Sequence, residues 1–253
     1  MTAYHACLNE RSGVMRYFCG TRRYPVKYRI PQVVWRGSST GKVERPVSLE
    51  TCMKLKRVRL HLLAREHPDL LDVKLNRLNQ ECKGILGPIV NDTGGYIHPE
   101  DYNKYCVILD VDGNTWSDRF ASRLVHSSTP ILKLASNYTS HVDHFFAPGV
   151  TLEEFDGSLS TVVETARRMV EDCKQNAEFS RGQALARQSQ ETARELLDHI
   201  GVVRSMAYGL VQYQRLLDFP FNSSLEGFQK VDRECCSYMN FPVEFAEELK
   251  SAL

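Results

Sequence analysis

No stretch of the sequence approaches the ~20 consecutive apolar residues that a membrane-spanning helix requires, so no such segment is expected. The first residues, Met1-Thr-Ala-Tyr-His-Ala-Cys-Leu-Asn-Glu-Arg, lack the apolar core of a secretory signal, and as written the chain is expected to stay in the cytosol. Neither sign of charge dominates: 32 Lys and Arg stand against 31 Asp and Glu, without a single-sign tail. Nucleic acid is therefore not an expected partner. Internal repeats and low-complexity segments are lacking too. The eight cysteines, at 7, 19, 52, 82, 106, 173, 235 and 236, form no Cys-x-x-Cys pair and no zinc-like Cys/His spacing.

What the sequence does contain is a chain of ordinary globular composition, long enough at 253 residues to bury a substantial core. Asn-x-Ser/Thr sequons at Asn91, Asn137 and Asn222 would fit a secreted protein, although chance supplies one or two in a chain of this length. Residues 1–30 are irregular. Val33-Val34-Trp35 predicts a short strand running into the donor-rich loop Arg36-Gly37-Ser38-Ser39-Thr40-Gly41-Lys42. Ser48 is placed to cap a helix over about 49–65, with Leu49, Cys52, Leu55, Val58, Leu62 and Leu63 as its apolar stripe. Leu70-Leu71-Asp72-Val73 reads as a strand, 83–97 as loop, and Pro99 as the start of a short helix. After a helix at about 117–126, Pro130 introduces the strand Ile131–Leu134. Helices follow near 158–175, 177–187 and 189–217, and a Phe-rich tail from Asp218 is expected to lie over the surface. Strands alternating with helices indicate an α/β, Rossmann-like, mostly parallel sheet with a helical C-terminal region. The expected division is 1–30, 31–217 and 218–253.

Residues 106–120 are the most informative. Cys106 to Val111 has the length and apolarity of a buried parallel strand, in which Cys106 serves as a small hydrophobe. It breaks at Asp112-Gly113-Asn114 and restarts as a helix from Ser117, with Arg119 in the first turn. A strand, a Gly turn and a helix start expose backbone N–H groups to an anion, and a guanidinium adds a planar fork of donors. The same arrangement also serves as an ordinary corner of an α/β fold.

Other motifs fail on spacing. Gly37 to Lys42 is not a P-loop, since three residues separate its glycines and Val43 follows the Lys. Asp110-x-Asp112-x-Asn114 is not a calcium loop, since its sixth position is Thr115 and its twelfth Ala121. Ile108 to Thr115 resembles the first motif of haloacid-dehalogenase-type phosphatases. That resemblance would make Asp110 the phosphoryl acceptor and Asp112 the acid/base beside magnesium, with Lys133 and Ser136 downstream. The closing acidic pair of that family is missing. His141-x-Asp143-His144 reads as surface histidines on a loop rather than as a metal site, and no metal is expected.

Taken together, the loops resemble glycosyltransferase family 90, the capsule-associated-protein-like family that includes luminal protein O-glucosyl- and O-xylosyltransferases. The matching segments are Val34-Trp35-Arg36-Gly37-Ser38-Ser39-Thr40, His67-Pro68-Asp69-Leu70-Leu71-Asp72, Lys104-Tyr105, Asp112-Gly113-Asn114-Thr115-Trp116-Ser117-Asp118-Arg119-Phe120, Ile131-Leu132-Lys133 and Phe145-Phe146-Ala147-Pro148. The resemblance spans about 33–215. It implies the C-terminal, donor-binding domain of a GT-B enzyme, with 31–217 as the nucleotide-sugar-binding domain. It implies metal-independent transfer of glucose or xylose from a UDP-sugar to a hydroxyl on protein or glycan, without a further cofactor. Arg36 and Arg119 are then the diphosphate clamp, Gly37 and Gly113 allow close backbone approach, and Ser38, Thr40 and Ser117 donate to phosphate or ribose oxygens. Asp112 and Asn114 complete the turn, and Phe120 is read as core rather than a uracil contact. The family's catalytic base comes from an N-terminal domain upstream of Trp35, where this chain has 34 residues. The chain is thus expected to be a truncated member, inactive alone, or a non-catalytic UDP-sugar-binding remnant. The family implies the endoplasmic reticulum or Golgi lumen.

Overall fold

The computed structural model describes residues 23–140, 142–197, 206–210 and 212–213. Its centre is a five-stranded sheet of β1 (Ile30–Ser38), β2 (Leu71–Arg77), β3 (Tyr105–Asp110), β4 (Ile131–Leu134) and β5 (Glu153–Phe155), in the order β2-β1-β3-β4-β5. Every neighbouring pair is parallel. Six α-helices lie wholly within the described residues: α1 (Leu49–Met53), α2 (Lys56–Glu66), α3 (Lys83–Leu86), α4 (Asp118–Ser122), α5 (Val162–Asn176) and α6 (Arg181–Leu196). This is an α/β, Rossmann-like fold. The described residues up to Ala193 belong to one compact unit, and the chain from Arg194 groups separately.

The strands that read as continuous apolar runs are those covered on both faces. Val33, Val34 and Trp35 of β1, Cys106–Asp110 of β3 and all of β4 are buried. Helix α5 packs on β1 and β3 through Val162, Ala166, Met169, Val170 and Cys173. There Cys106 departs from the expectation of a free small hydrophobe. It faces the last turn of α5 and forms a disulfide with Cys173, their Cα atoms 5.9 Å apart. A second bridge, Cys52–Cys82, ties α1 to the 3-10 turn Gln80–Cys82, with Cα atoms 5.7 Å apart. Cys7, Cys19, Cys235 and Cys236 lie outside the described residues.

Several expected elements divide or merge. Ser48 caps α1 in a capping box with Thr51, but the helix expected to run to 65 breaks at Leu55, whose extended backbone starts α2 on a new axis. The 117–126 helix is α4 followed by the 3-10 turn Leu124–His126, because Arg123 leaves helical geometry. The stretch expected as loop from 83 opens with α3. One helix, α6, replaces the two expected from 177 to 196, after a 3-10 turn at Ala177–Phe179. Residues 206–210 and 212–213 are helical, while residues 1–22 and the tail from Asp218 lie outside the described residues.

The strand order positions the site. The chain leaves β1 towards β2 on one side, and β3 then returns to the other side of β1. The carboxyl ends of β1 and β3 therefore flank the point where the order reverses, which is where open α/β sheets receive ligands.

Candidate functional site

A cavity of about 700 Å³ opens at that reversal point. Seven residues singled out in the sequence line it: Arg36, Gly37, Ser38 and Thr40 from the end of β1, and Gly113, Asn114 and Arg119 from the turn after β3. The two arginine-bearing segments meet directly. Arg119 donates from Nη1 to the main-chain oxygen of Arg36 at 2.5 Å, and its guanidinium lies 5.6 Å from the centre of the buried Trp35 ring. Gly37 admits no side chain here, since a Cβ would lie 2.4 Å from that same ring.

The two arginines differ in what they have left to offer, and here the expected clamp is corrected. Arg36 is spent inside the protein: Nη2 donates to both Asp72 carboxylate oxygens at 2.8 Å, and Nη1 donates to the carbonyls of Asp72 and Trp35. Its Nε is buried without a partner. The Tyr105 hydroxyl donates to the same carboxylate at 2.7 Å. Burial pushes Asp72 up, but the hydrogen bonds from Arg36 and Tyr105 outweigh it and hold the carboxyl below its ordinary value. Burial and that bond to Asp72 push Tyr105 up to about 12. Arg36 therefore shapes the cavity wall, and Arg119 keeps the donors that face it.

Two other expectations, for Ser117 and Asp112, are corrected by the layer beneath the turn, and one, for Phe120, is kept. Ser117 is buried, and its hydroxyl donates to Asp110 at 2.5 Å, so it neither caps α4 nor faces the cavity. Asp110 is 0 % exposed and also meets the Lys133 ammonium at 3.4 Å. Phe120 is buried edge-on against Phe146 with Lys133 over its ring, which makes it core, as the sequence suggested, and not a ligand contact. Asp112 is buried and borders a different, adjoining cavity.

Sequence reasoning missed Arg57. From α2 its Nε and Nη2 donate to the carbonyls of Asp112 and Val111 at 2.8 Å each, and its Nη1 reaches Thr40 Oγ1 at 2.7 Å and the Ser38 carbonyl at 3.3 Å. This one side chain clips the β1 loop to the β3 turn, 5.4 Å from the Trp35 ring. Burial, with a smaller contribution from the Arg119 charge, brings its pKa down to about 10. The signal that hid it is periodicity. The buried face of α2 is Arg57, Val58, Leu60, His61 and Ala64, so a charged residue occupies the place where an apolar one is sought.

The remaining wall is cationic and aromatic. The exposed side chains of Arg77 and Arg123 make no hydrogen bond or ion pair with described residues, and Tyr96, Tyr102 and Trp116 line the same cavity. Five arginines line the cavity against one acid, Asp118. Elsewhere Asp143 is engaged by Ser140, His144 packs on Phe145, and His141 lies outside the described residues. Among the described residues no group of three or more His, Cys, Asp or Glu is arranged to hold a metal ion.

No protein-family model and no curated protein matches this chain.

Proposed function

We propose that the chain is the donor-binding portion of a glycosyltransferase that takes a UDP-sugar and passes glucose or xylose to a hydroxyl on protein or glycan. The observation that carries this reading is the cavity between the ends of β1 and β3, where Arg119 presents free guanidinium donors beside unpaired Arg77 and Arg123. A strongly cationic pocket at a sheet's reversal point selects an anion, and a diphosphate matches its charge. Tyr96, Tyr102 and Trp116 supply ring faces for a base at the outer end.

In this reading the acceptor oxygen attacks the anomeric carbon as the bond to the diphosphate breaks, with inversion, and the departing UDP takes up negative charge. In the same reading Arg119, held by its bond to the Arg36 carbonyl, meets that charge with its remaining donors, which is how preorganised donors lower a barrier. Arg57 acts indirectly, by fixing Thr40 and the Val111–Gly113 turn. The acceptor's base comes from outside this cavity, as the family resemblance implies. The Cys52–Cys82 and Cys106–Cys173 disulfides support a luminal location, since such bonds persist in oxidising compartments. The phosphatase reading has less support: its nucleophile would be Asp110, which is sealed in the core on Ser117 and Lys133.

Trp116 is half exposed on the cavity wall, so its fluorescence reports occupancy. Affinity should rise in the order uridine, UMP, UDP, with UDP at least tenfold tighter than uridine, about 1.4 kcal/mol. Equal affinities across the series would sink the proposal.

A further inference from the structure

The Asn-x-Thr triplets Asn91-Asp92-Thr93 and Asn137-Tyr138-Thr139 play no part in the arginine cavity, whose wall includes neither asparagine. Such triplets arise by chance, and the fold decides which of them can carry a bulky polar group. All six residues are exposed and lie outside helices and strands, the first triplet between α3 and β3 and the second after β4. The side chains of Asn91, Thr93, Asn137 and Thr139 make no hydrogen bond with described residues. Other asparagines are occupied: Asn103 is buried and accepts from Ser127, Ser128 and Thr129, and Asn176 donates to Asp172. The two loops are held by neighbouring groups instead. Asp92 is bonded to Arg65 and His61 of α2, and Gly94 N–H donates to the Leu75 carbonyl at 2.8 Å. Tyr138 N–H donates to Ser136 Oγ at 3.0 Å. A glycan on Asn91 or Asn137 therefore displaces no packed group and breaks no hydrogen bond of the described residues.

The cysteines add an independent observation. Cys52–Cys82 and Cys106–Cys173 are paired, and such bonds persist in oxidising compartments, the lumen of the endoplasmic reticulum among them. Exposed Asn-x-Thr loops of proteins that pass through that lumen are acceptors for N-linked sugar.

We propose that Asn91 and Asn137 are N-glycosylation sites. The co-substrate is an oligosaccharide carried on a lipid diphosphate. Asn Nδ2 bonds to its anomeric carbon as the carbon–oxygen bond to the diphosphate breaks. Nδ2 gives up one proton, the lipid diphosphate leaves as an anion, and no oxidation state changes. The transferring enzyme reads the threonine hydroxyl of the triplet, and both hydroxyls are free here. This inference does not rest on the UDP-sugar reading, since the chain is the acceptor and its own cavity takes no part.

The test is peptide mapping of the full chain, purified from its native cells and from cultured animal cells that secrete it. Peptide N-glycosidase in heavy-oxygen water converts each glycosylated Asn to a labelled Asp. Label is expected at residues 91 and 137 in both preparations, and Asn91→Gln and Asn137→Gln should each lose one mobility step on a gel. Thr139→Ala should lose the same step as Asn137→Gln, while Thr139→Ser keeps it, which separates loss of the triplet from a change in folding. Absence of label at either residue in the native protein would overturn the assignment at that residue. A step at Asn137 that survives Thr139→Ala would overturn it there as well.

Discussion

A guanidinium carries five N–H donors, and whether it serves a ligand depends on how many of them the protein has already used. Arg36, Arg57 and Arg119 border one cavity with three different answers. Arg36 is consumed by Asp72, Arg57 by four oxygens of the two loops, and Arg119 gives one bond to the Arg36 carbonyl and keeps the rest. The sequence made Arg36 and Arg119 legible as a pair because each sits beside a glycine-bearing turn. It could not show that Asp72, 36 positions on from Arg36, claims that side chain. Arg57 was illegible, as a charged residue on the inner face of a helix. Its removal tests its structural role: Arg57→Ala strands the Val111 and Asp112 carbonyls and should cost about 3 kcal/mol, read as a lowered urea midpoint. A loss under 0.5 kcal/mol would show that the clip does not hold the turn.

Elements followed the sequence where burial is symmetrical and departed from it where tertiary contacts decide. β1, β3 and β4 were visible as apolar runs because both their faces are covered. β5 was not, since Glu153-Glu154-Phe155 offers one apolar side chain and pairs only along the β4 edge. The α1–α2 break escaped notice because both pieces keep buried apolar positions, Cys52 before it and Val58 after it. Disulfide connectivity cannot be read from spacing, and the two bridges link elements 30 and 67 residues apart. The longer one joins a core strand to the helix covering it. Replacing Cys106 and Cys173 by alanine should lower stability by about 4 kcal/mol on loop-entropy grounds, measured by denaturant unfolding of the oxidised protein. An unchanged midpoint would mean that the bridge does not form in solution.

For the molecule as a whole, the parallel order β2-β1-β3-β4-β5 brings the turns after β1 and β3 to one rim, and the sequence anticipated this only as alternation of strands and helices. The fold is stabilised by carboxylates whose ionised form it favours, Asp72 on Arg36 and Tyr105, and Asp92 under Arg65 and His61. A carboxyl held below its ordinary value binds fewer protons folded than unfolded, so its contribution is complete above ~3.9 and is lost as pH falls through the lowered value. Thermal stability should therefore decline on acidification below about pH 4, and Asp72→Asn should flatten that decline. An unaltered acid slope in that variant would remove Asp72 from the explanation.

The central claim is that Arg119 anchors a diphosphate between β1 and β3. Calorimetric titration of UDP in EDTA, wild type against Arg119→Ala, tests it most directly. The expected result is saturable binding by wild type and a loss of about 2 kcal/mol, some thirtyfold, in the variant. UDP binding of equal strength in both proteins, or binding by wild type that appears only when magnesium is restored, would contradict it.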